Sequence, residues 1–415
     1  MSLNSVVIIG GGQGGYQTAA SLRQQGFTGT VTIVNDEPGL PYQRPPLSKG
    51  YLLGKLSEQH LLLRNDKWYV DQKVDVVHGR AVEIDRPGRR VVLEDGSVLT
   101  YDHLVLATGA RNRELPVPGV ELEGVFGMKT RADADAISER VRAAENVVVI
   151  GAGFIGLEFA GVAAALGARV HVLELGDRPM ARALSHITSQ RFREAHEGWG
   201  VTFDFEQGLQ RIGGEDGQVR RVITADGRAI DADLVVYGIG VIPNTALAEA
   251  AGLTIENGIR VDAQLQTEDP FISAVGDAVN FPCVQLDSAP TRLESVQNAA
   301  DQARCLAARL TGTSAPYVAT PWFWSDQGDL KLQIVGMSNG YNNTVELEVA
   351  DSNQKIVLCF RDDVLLAVET VNRPGEHMIA RRILAGEVAL TPAMVAAPDF
   401  NLKEWEAASR AVAVG

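Results

Sequence analysis

Two glycine-rich turns, each directly after an apolar run, constrain the fold of this 415-residue chain more than any other feature. The first turn spans residues 10–15 after the run 6–9, and the second spans residues 151–156 after the run 147–150. Both fit G-x-G-x-x-G at a strand-to-helix junction. In this pattern the first glycine permits a tight turn, the second lets the backbone approach a pyrophosphate, and the third lets the helix pack on the strand. The pyrophosphate then lies at a helix N-terminus, whose free N–H groups favour an anion.

Together the two turns predict a protein that holds two dinucleotides at once, and therefore an electron transfer between them. The alternative is a pair of tight turns in an α/β domain without nucleotides. That alternative explains a single turn more readily than two turns in the same sequence context.

An acidic residue should close each unit at the end of its second strand and bind ribose hydroxyls. Asp36, with Glu37 next to it, is the candidate in the first unit, and Glu174 is the candidate in the second. A carboxylate at position 174 also repels a 2′-phosphate and predicts a preference for a dinucleotide that lacks one. Arg178, four residues further on, could weaken that preference.

Composition excludes several classes of function. The net charge of −14 argues against a general nucleic-acid binder, which needs a basic surface. Seven histidines are scattered without the spacing of metal ligands, so no metal site is predicted. The cysteines, Cys283, Cys305 and Cys359, are too far apart for a C-x-x-C pair and suit a reducing compartment.

The sequence predicts a cytoplasmic protein. The first strand begins near Val6, which leaves no room for a signal peptide. The apolar stretch 147–173 resembles a membrane span, but its uncharged run before Glu158 has 11 residues, and a spanning helix needs about 20. We also expect a monomer, because no long apolar surface helix is evident.

The order of motifs repeats along the chain. After the first βαβ unit come a hairpin turn at Asp95-Gly96 and an apolar strand near 103–107, and the second unit repeats this order up to Gly240. We predict an α/β fold with two Rossmann-like, glutathione-reductase-like nucleotide domains and a C-terminal α+β domain. The predicted boundaries are 1–112 with 240–320 for the first domain, 113–239 for the second, and 321–415 for the third.

Four further strings accompany the two turns: Arg-Pro-Pro-Leu-Ser-Lys at 44–49, Ala-Thr-Gly at 107–109, Val-Gly-Asp-Ala at 275–278, and Trp-Phe-Trp-Ser-Asp-Gln at 322–327. With these strings the chain resembles, over nearly its whole length, the FAD-dependent, NADH-linked ferredoxin reductases of the putidaredoxin reductase type. The strings at 44–49 and 322–327 are the specific ones, whereas the other two are shared by flavoprotein disulfide reductases at large.

The resemblance implies that the first turn binds FAD, that the second binds NADH, and that the third domain supports the flavin and the docking of ferredoxin. The expected FAD-binding residues are Gly10, Gly12, Gly14, Gly15, Asp36, Arg44, Lys49, Ala107, Thr108, Gly109, Asp277, Val296 and Trp324. The expected NADH-binding residues are Gly151, Gly153, Phe154, Ile155, Gly156, Glu174 and Gly240.

Three residues are expected to take part in catalysis. The resemblance implies that Lys49 stabilises reduced flavin, where a unit charge at roughly 4 Å contributes about 4 kcal/mol at an effective dielectric near 20. It also implies that Glu158 pairs with Lys49. Trp324 is a candidate for the flavin environment, with Tyr42 and Trp322 as weaker candidates. The alternatives are a solvated lysine, an exposed helical glutamate and an ordinary core tryptophan.

The implied activity is the transfer of electrons from NADH through FAD to a [2Fe–2S] ferredoxin that serves a haem monooxygenase or a ring-hydroxylating dioxygenase. Residues 41–49 contain no cysteine, which argues against dithiol or sulfenate chemistry. Basic residues that could dock an acidic ferredoxin are Arg64, Arg304, Arg309, Lys331 and Arg373. The rival interpretations are an NADH-dependent reductase of rubredoxin, nitrite or a quinone, and a redox signalling flavoprotein similar to apoptosis-inducing factor.

Overall fold

The computed structural model describes residues 3–349, 351, 353–386 and 388–413, without the side chains of 411–413. The chain divides into two compact units. The first unit comprises Met1–Gln43, Ser57–Arg111 and Val241–Ala319, and the second comprises Arg44–Leu56, Asn112–Gly240 and Thr320–Gly415.

The strands are numbered in chain order. They are β1 (Ser5–Ile9), β2 (Thr30–Asn35), β3 (Val74–His78), β4 (Ala81–Asp85), β5 (Arg90–Leu93), β6 (Val98–Thr100), β7 (His103–Leu106), β8 (Ala110–Asn112), β9 (Val125–Gly127), β10 (Asn146–Ile150), β11 (Arg169–Leu173), β12 (Thr202–Asp204), β13 (Leu209–Glu215), β14 (Gln218–Thr224), β15 (Ala229–Asp231), β16 (Leu234–Tyr237), β17 (Val241–Pro243), β18 (Ile259–Arg260), β19 (Ile272–Ala274), β20 (Val279–Cys283), β21 (Ala289–Thr291), β22 (Trp322–Gln327), β23 (Leu330–Gly336), β24 (Asn343–Glu346), β25 (Lys355–Arg361) and β26 (Val364–Val371).

The helices are numbered in the same way. They are α1 (Gln13–Gln24), α2 (Glu58–Leu61), α3 (Asp66–Gln72), α4 (Arg131–Ala143), α5 (Phe154–Ala165), α6 (His186–Gly198), α7 (Ala246–Ala250), α8 (Val296–Leu310), α9 (Pro374–Ala385), α10 (Pro392–Val395) and α11 (Leu402–Ala413), with short 3-10 helices at Pro45–Ser48 and Val284–Leu286.

A five-stranded parallel sheet in the order β19-β7-β1-β2-β3 forms the centre of the first unit. Its central strands β1 and β7 are short, continuous apolar runs, as expected for parallel strands that are covered on both faces. Helix α1 follows β1 after three residues and packs against α8. Because β19 pairs with β7, the chain returns to this sheet after the whole of residues 112–240.

The second unit contains a parallel sheet, β12-β11-β10-β16-β9, and an antiparallel sheet, β22-β23-β26-β25-β24. Helix α5 contacts both β11 and β22. Its sequence is apolar around its whole circumference, which is typical of a helix buried on all sides. Helices α9 and α11 cover the antiparallel sheet with an apolar cluster that includes Phe360, Ile379 and Leu402.

Several elements differ from the sequence prediction. Neither β22 nor α11 is predicted, and the Val-Gly-Asp-Ala string at 275–278 lies after β19, where Gly276 has a positive φ of +85°. Strand β22 escapes prediction because Trp322–Gln327 lacks a regular alternation of apolar and polar residues. No helix in the described part of the chain is long and apolar enough to cross a membrane.

The buried histidine of β7 predicts how stability depends on pH. His103 Nε2 lies 2.9 Å from the Ser273 hydroxyl, and burial, helped by the nearby Arg309 charge, lowers the pKa of His103 to about 3. The unfolded chain therefore binds a proton on this residue between pH 6.5 and 3, whereas the folded chain does not. The free energy of unfolding then falls as the pH drops below 6.5, by about 2 kcal/mol at pH 5 for this residue.

We expect His103→Gln to flatten the fall in unfolding free energy between pH 7 and pH 5, measured by urea denaturation. The exposed His78 at the end of β3 supplies the control, because His78→Gln should leave the slope unchanged. Equal slopes for wild type and His103→Gln would contradict the assignment.

Candidate active site

The first glycine-rich turn, between β1 and α1, is shaped by two close backbone approaches. Gly10 has a φ of +112°, and a Cβ there would lie 2.2 Å from the carbonyl oxygen of Ala107. A Cβ at Gly15 would lie 1.9 Å from the Gly10 carbonyl oxygen, so only glycine lets α1 start this close to β1. A Cβ at Gly14 would lie 3.2 Å from a methyl carbon of Val275. The protein itself therefore requires glycine at the first and third positions of the motif.

The second turn, between β10 and α5, repeats this geometry. Gly151 has a φ of +97°, and its Cβ would lie 2.8 Å from the Gly238 carbonyl oxygen. A Cβ at Gly156 would lie 2.1 Å from the Gly151 carbonyl oxygen. Phe154 and Ile155 begin α5, and Ile155 is 40% exposed although it is apolar.

The middle glycine of each turn is not required by contacts within the protein. A Cβ at Gly12 would meet no atom within 4 Å, and one at Gly153 would meet only the Gly238 carbonyl oxygen at 3.8 Å. Both residues have ordinary negative φ values, −76° and −77°. The space that these glycines leave open fits a pyrophosphate at the helix N-terminus. The two cradles therefore fit FAD and NADH, the two dinucleotides expected from the sequence.

The carboxylate that the sequence predicts to bind ribose in the first unit is displaced by one position relative to its counterpart in the second. The strand registers pair Ile9 with Val34, and Ile150 with Leu173. Glu174 therefore corresponds to Asn35, and Asp36 lies one residue further on, where it is exposed. The Asn35 side chain donates to the carbonyls of Glu37 and Gly39, at 2.9 and 3.0 Å, and fixes the loop after β2.

Glu174 is held rigidly beside the second turn. One carboxylate oxygen accepts the Ala152 N–H at 2.6 Å, and the other accepts the Gly176 N–H at 2.7 Å. Arg178 donates to the carbonyls of Ala181 and Leu184 and pairs with Asp177. These hydrogen bonds of the Arg178 guanidinium point away from Glu174, and the effect of Arg178 on the NADH preference stays a prediction.

The remaining FAD-binding candidates of the first unit follow parallel strands or begin a helix. Ala107, Thr108 and Gly109 follow β7, and Thr108 exchanges hydrogen bonds with Asn244, a residue that sequence patterns did not single out. Asp277 follows β19 and is partly exposed. Val296 is the first residue of α8, whose N-cap is Ser295.

In the second unit, Gly240 lies three residues beyond β16. It has a φ of +99°, and a Cβ there would meet no atom within 4 Å. Gly240 therefore leaves open space beyond this strand, as the middle glycines do.

The string at 44–49 folds into a short 3-10 helix with Pro45 and Pro46 in its first turn, where a fixed φ is favourable. Leu47 and Ser48 are buried, and Lys49 caps the C-terminal end. The Lys49 ammonium donates to the Pro45 carbonyl at 3.0 Å. Arg44, which precedes the helix, donates to the Lys129 carbonyl at 3.0 Å.

Glu158 is the charged residue of the buried helix α5 and is 4% exposed. Lys49 Nζ lies 2.7 Å from Glu158 Oε2, so the ion pair expected from the sequence is present. The hydroxyls of Ser48 and Ser325 also donate to Glu158, at 2.5 and 2.6 Å. A buried carboxylate needs such donors, because leaving it without partners is costly.

Further residues behind Glu158 were not found from the sequence. Gln327 donates to the Ser325 hydroxyl at 3.1 Å, and His196 Nε2 lies 2.8 Å from Gln327 Oε1. The only sequence signal was the Trp-Phe-Trp-Ser-Asp-Gln string itself, which places a serine and a glutamine two residues apart on one face of β22.

Trp324 lies on β22 and is half-buried. Its ring centroid lies 5.4 Å from that of Trp322, which in turn packs against His377 at 5.3 Å. The Arg381 guanidinium lies over the Trp322 ring at 5.1 Å. Trp322 thus belongs to a packed aromatic cluster, and Trp324 stays a prediction for the flavin environment.

The thiols offer no nucleophile. Cys283, Cys305 and Cys359 are all free, and burial raises the pKa of each one. A raised pKa keeps the thiol protonated and inert. Within the described residues no group of histidine, cysteine and carboxylate side chains could hold a metal ion.

One docking candidate is unsuitable. Arg309 donates to Gln266 and Ser273, and burial lowers its pKa, so this guanidinium is used inside the first unit. Arg304 pairs with Asp301, and Arg373 pairs with Glu376.

The contrast between the middle and third glycines gives a matched pair of variants. We expect Gly153→Ala to keep the thermal unfolding midpoint of the wild type and to weaken NADH binding by roughly tenfold or more, about 1.4 kcal/mol. Gly156→Ala should instead lower the unfolding midpoint, because its Cβ meets a backbone oxygen. Titration of flavin reduction against NADH concentration and calorimetry measure the two effects. Unchanged NADH affinity in Gly153→Ala would refute the cradle.

Comparison with known proteins agrees with this geometry. Residues 4–303 match the family described as pyridine nucleotide-disulphide oxidoreductase, and residues 322–405 match the family described as reductase C-terminal. Rhodocoxin reductase of Rhodococcus erythropolis is 49% identical over 400 residues, which cover 96% of this chain and 93% of that protein.

Two solved structures are similar over nearly the whole chain. The ferredoxin reductase for the CYP199A2 system from Rhodopseudomonas palustris has 45% identity and a TM-score of 0.94, covering 97% of this chain and all of that one. The reductase in the covalent putidaredoxin reductase–putidaredoxin complex has 37% identity and a TM-score of 0.94, covering 99% of this chain and all of that one. The predicted α/β fold class is confirmed. The chain belongs to the pyridine nucleotide-disulphide oxidoreductase family, in its ferredoxin reductase branch, and is an oxidoreductase that uses FAD and a nicotinamide dinucleotide.

Proposed function

We propose that this protein carries electrons from NADH through FAD to a small [2Fe–2S] ferredoxin, which serves a haem monooxygenase or a ring-hydroxylating dioxygenase. The proposal rests on the pair of glycine turns, whose middle glycines leave open space at the N-terminus of a helix that follows a parallel strand. The nature of the acceptor is supported by the relatives, which are named as a rhodocoxin reductase, a ferredoxin reductase and a putidaredoxin reductase.

When both cofactors are bound, the chemistry that they supply is hydride transfer from nicotinamide to flavin, followed by the delivery of single electrons. The protein contributes binding, orientation and charge. Gly10, Gly12 and Gly15 hold one pyrophosphate, and Gly151, Gly153 and Gly156 hold the other. We assign FAD to the first cradle and NADH to the second, in agreement with the order of motifs in the sequence.

Lys49 supplies the positive charge that stabilises reduced flavin, and Glu158 keeps that charge in a defined position. A lysine with a free side chain would lose this orientation. The ion pair is shielded from water, since the two side chains are 19% and 3% exposed, so its attraction is stronger than that of a surface pair. Trp324, Asp36, Asp277 and Val296 complete the proposed cofactor contacts.

We further propose a monomeric, cytoplasmic enzyme. Three free cysteines and no disulfide among the described residues suit a reducing compartment.

The proposed function is tested with FAD-loaded protein and NADH, with cytochrome c as the final electron sink. We expect fast cytochrome c reduction only when a [2Fe–2S] ferredoxin is present, and little activity with NADPH. Rubredoxin replaces the ferredoxin in a parallel reaction. Equal rates with rubredoxin would assign a different acceptor, and rapid flavin reduction without any dependence on a protein acceptor would favour redox signalling.

The preference for NADH is tested at Glu174. We expect Glu174→Ala to narrow the ratio of kcat/KM for NADH over NADPH by at least tenfold, because both the ribose acceptor and the repulsion of a 2′-phosphate are lost. Glu174→Gln separates the two effects, because it keeps an acceptor and removes the charge. Glu194→Ala, an exposed position on α6, is the control for loss of one negative charge. A wild-type ratio in Glu174→Ala would exclude this role.

A further inference from the structure

A continuous line of hydrogen bonds runs from His196 to Glu158 within the second unit. His196 Nε2 lies 2.8 Å from Gln327 Oε1, Gln327 Nε2 lies 3.1 Å from Ser325 Oγ, and Ser325 Oγ lies 2.6 Å from Glu158 Oε1. The line continues through the carboxylate to Lys49. His196, Gln327, Ser325 and Glu158 are each at most 4% exposed, so water does not compete for these contacts.

The chemistry of each group fixes the direction of this line. Gln327 Nε2 is a donor and also faces the sulfur of Met180 at 3.6 Å, a weak acceptor. Ser325 Oγ accepts from Gln327, so its one proton is free to go to Glu158. Gln327 Oε1 can only accept, so the proton in its contact with His196 must be on His196 Nε2.

The opposite direction changes the charge of the site. If His196 carried its proton on Nδ1, Nε2 would accept, and the Gln327 amide would have to turn round. Ser325 would then donate to Gln327, and its 2.6 Å contact with Glu158 would need a proton on the carboxyl group. Glu158 would be neutral in that arrangement and would no longer hold the Lys49 ammonium in place.

We propose that His196 and Gln327 are positioning residues for the electron-transfer site, because they force the Ser325 hydroxyl to donate to Glu158 and thereby keep this carboxylate charged opposite Lys49. The inference rests on the proposed role of Lys49 at the flavin. It extends the site from the ion pair to a neutral histidine three hydrogen bonds away from Glu158.

The surroundings of His196 suit a fixed neutral tautomer. Its ring packs against Trp199 at 4.7 Å and Phe203 at 6.2 Å, and its Nδ1 atom is buried without a hydrogen-bond partner. Burial lowers the pKa of His196 to about 4, so the ring stays neutral near pH 7. An imidazole that never becomes charged can orient an amide without adding a competing positive charge.

The first test is the tautomer of His196 in the wild-type holoenzyme, read by NMR of ¹⁵N-labelled histidine. We expect the neutral Nε2–H form at pH 6 to 8. The Nδ1–H form would overturn the proposal, whatever the activity of the enzyme.

The second test breaks the line while keeping its packing. His196→Phe frees the Gln327 amide to turn, so we expect it to make the flavin midpoint potential more negative and to slow flavin reduction by NADH about tenfold in single-turnover experiments, because Lys49 loses the charged partner that orients it. The Kd for NADH should stay unchanged, because the line does not touch the Glu174 site. Ser325→Ala should have at least the same effect. If Ser325→Ala fails to fold, His196→Phe keeps the aromatic packing and still removes the Nε2–H donor.

Two controls separate positioning from a structural role. Met180→Leu alters the other neighbour of Gln327 Nε2, and Asp326→Asn alters the exposed residue between Ser325 and Gln327 on β22. Both should keep the wild-type potential and rate. A wild-type potential in both His196→Phe and Ser325→Ala would overturn the proposal. If no ferredoxin accepts electrons from the enzyme, the proposed acceptor is refuted but the roles of His196 and Gln327 are not. The midpoint potential and the rate of flavin reduction are measured without an acceptor protein.

Discussion

A carboxylate buried on an apolar helix is the constraint around which the second unit is organised. Residues 156–163 of helix α5 are buried, and the Glu158 carboxylate is stabilised there because Lys49, Ser48 and Ser325 donate to it. These donors come from the 3-10 helix at Pro45–Ser48 and from β22, which are far apart in sequence. Residues from the Arg-Pro-Pro-Leu-Ser-Lys and Trp-Ser-Asp-Gln strings therefore both contact Glu158. Together they hold the positive charge of Lys49 in place.

Glycine occurs at different positions of the two turns for two different physical reasons. Gly10 and Gly15 are required by the protein, because a side chain would strike backbone oxygens. Gly12 and Gly153 have ordinary φ values and open surroundings, so the protein itself does not require glycine there. We attribute these glycines to a ligand that approaches the backbone. A helix N-terminus with open space before it is suited to a pyrophosphate, and two such sites are sufficient for an enzyme that passes electrons between dinucleotides.

The sequence predicted the parts of the structure that depend on local rules. The apolar runs before Gly10 and Gly151, the helices after them and the Lys49–Glu158 pair were all anticipated, the last through family resemblance. Ser325, Gln327 and His196 were not, because a hydrogen-bond line across β22 and α6 depends on three-dimensional packing that has no period in the sequence. Asn35 was missed for a related reason: only the strand register shows that it, and not Asp36, corresponds to Glu174.

The most direct test of this account is the midpoint potential of FAD in a holoenzyme that lacks the ion pair. The double variant Lys49→Met/Glu158→Gln removes both charges, so that no buried carboxylate is left without its partner. If Lys49 stabilises reduced flavin, the potential of the double variant is more negative than that of the wild type. An unchanged potential, with FAD content and unfolding midpoint preserved, would contradict the role assigned to the pair and leave it as a structural contact alone.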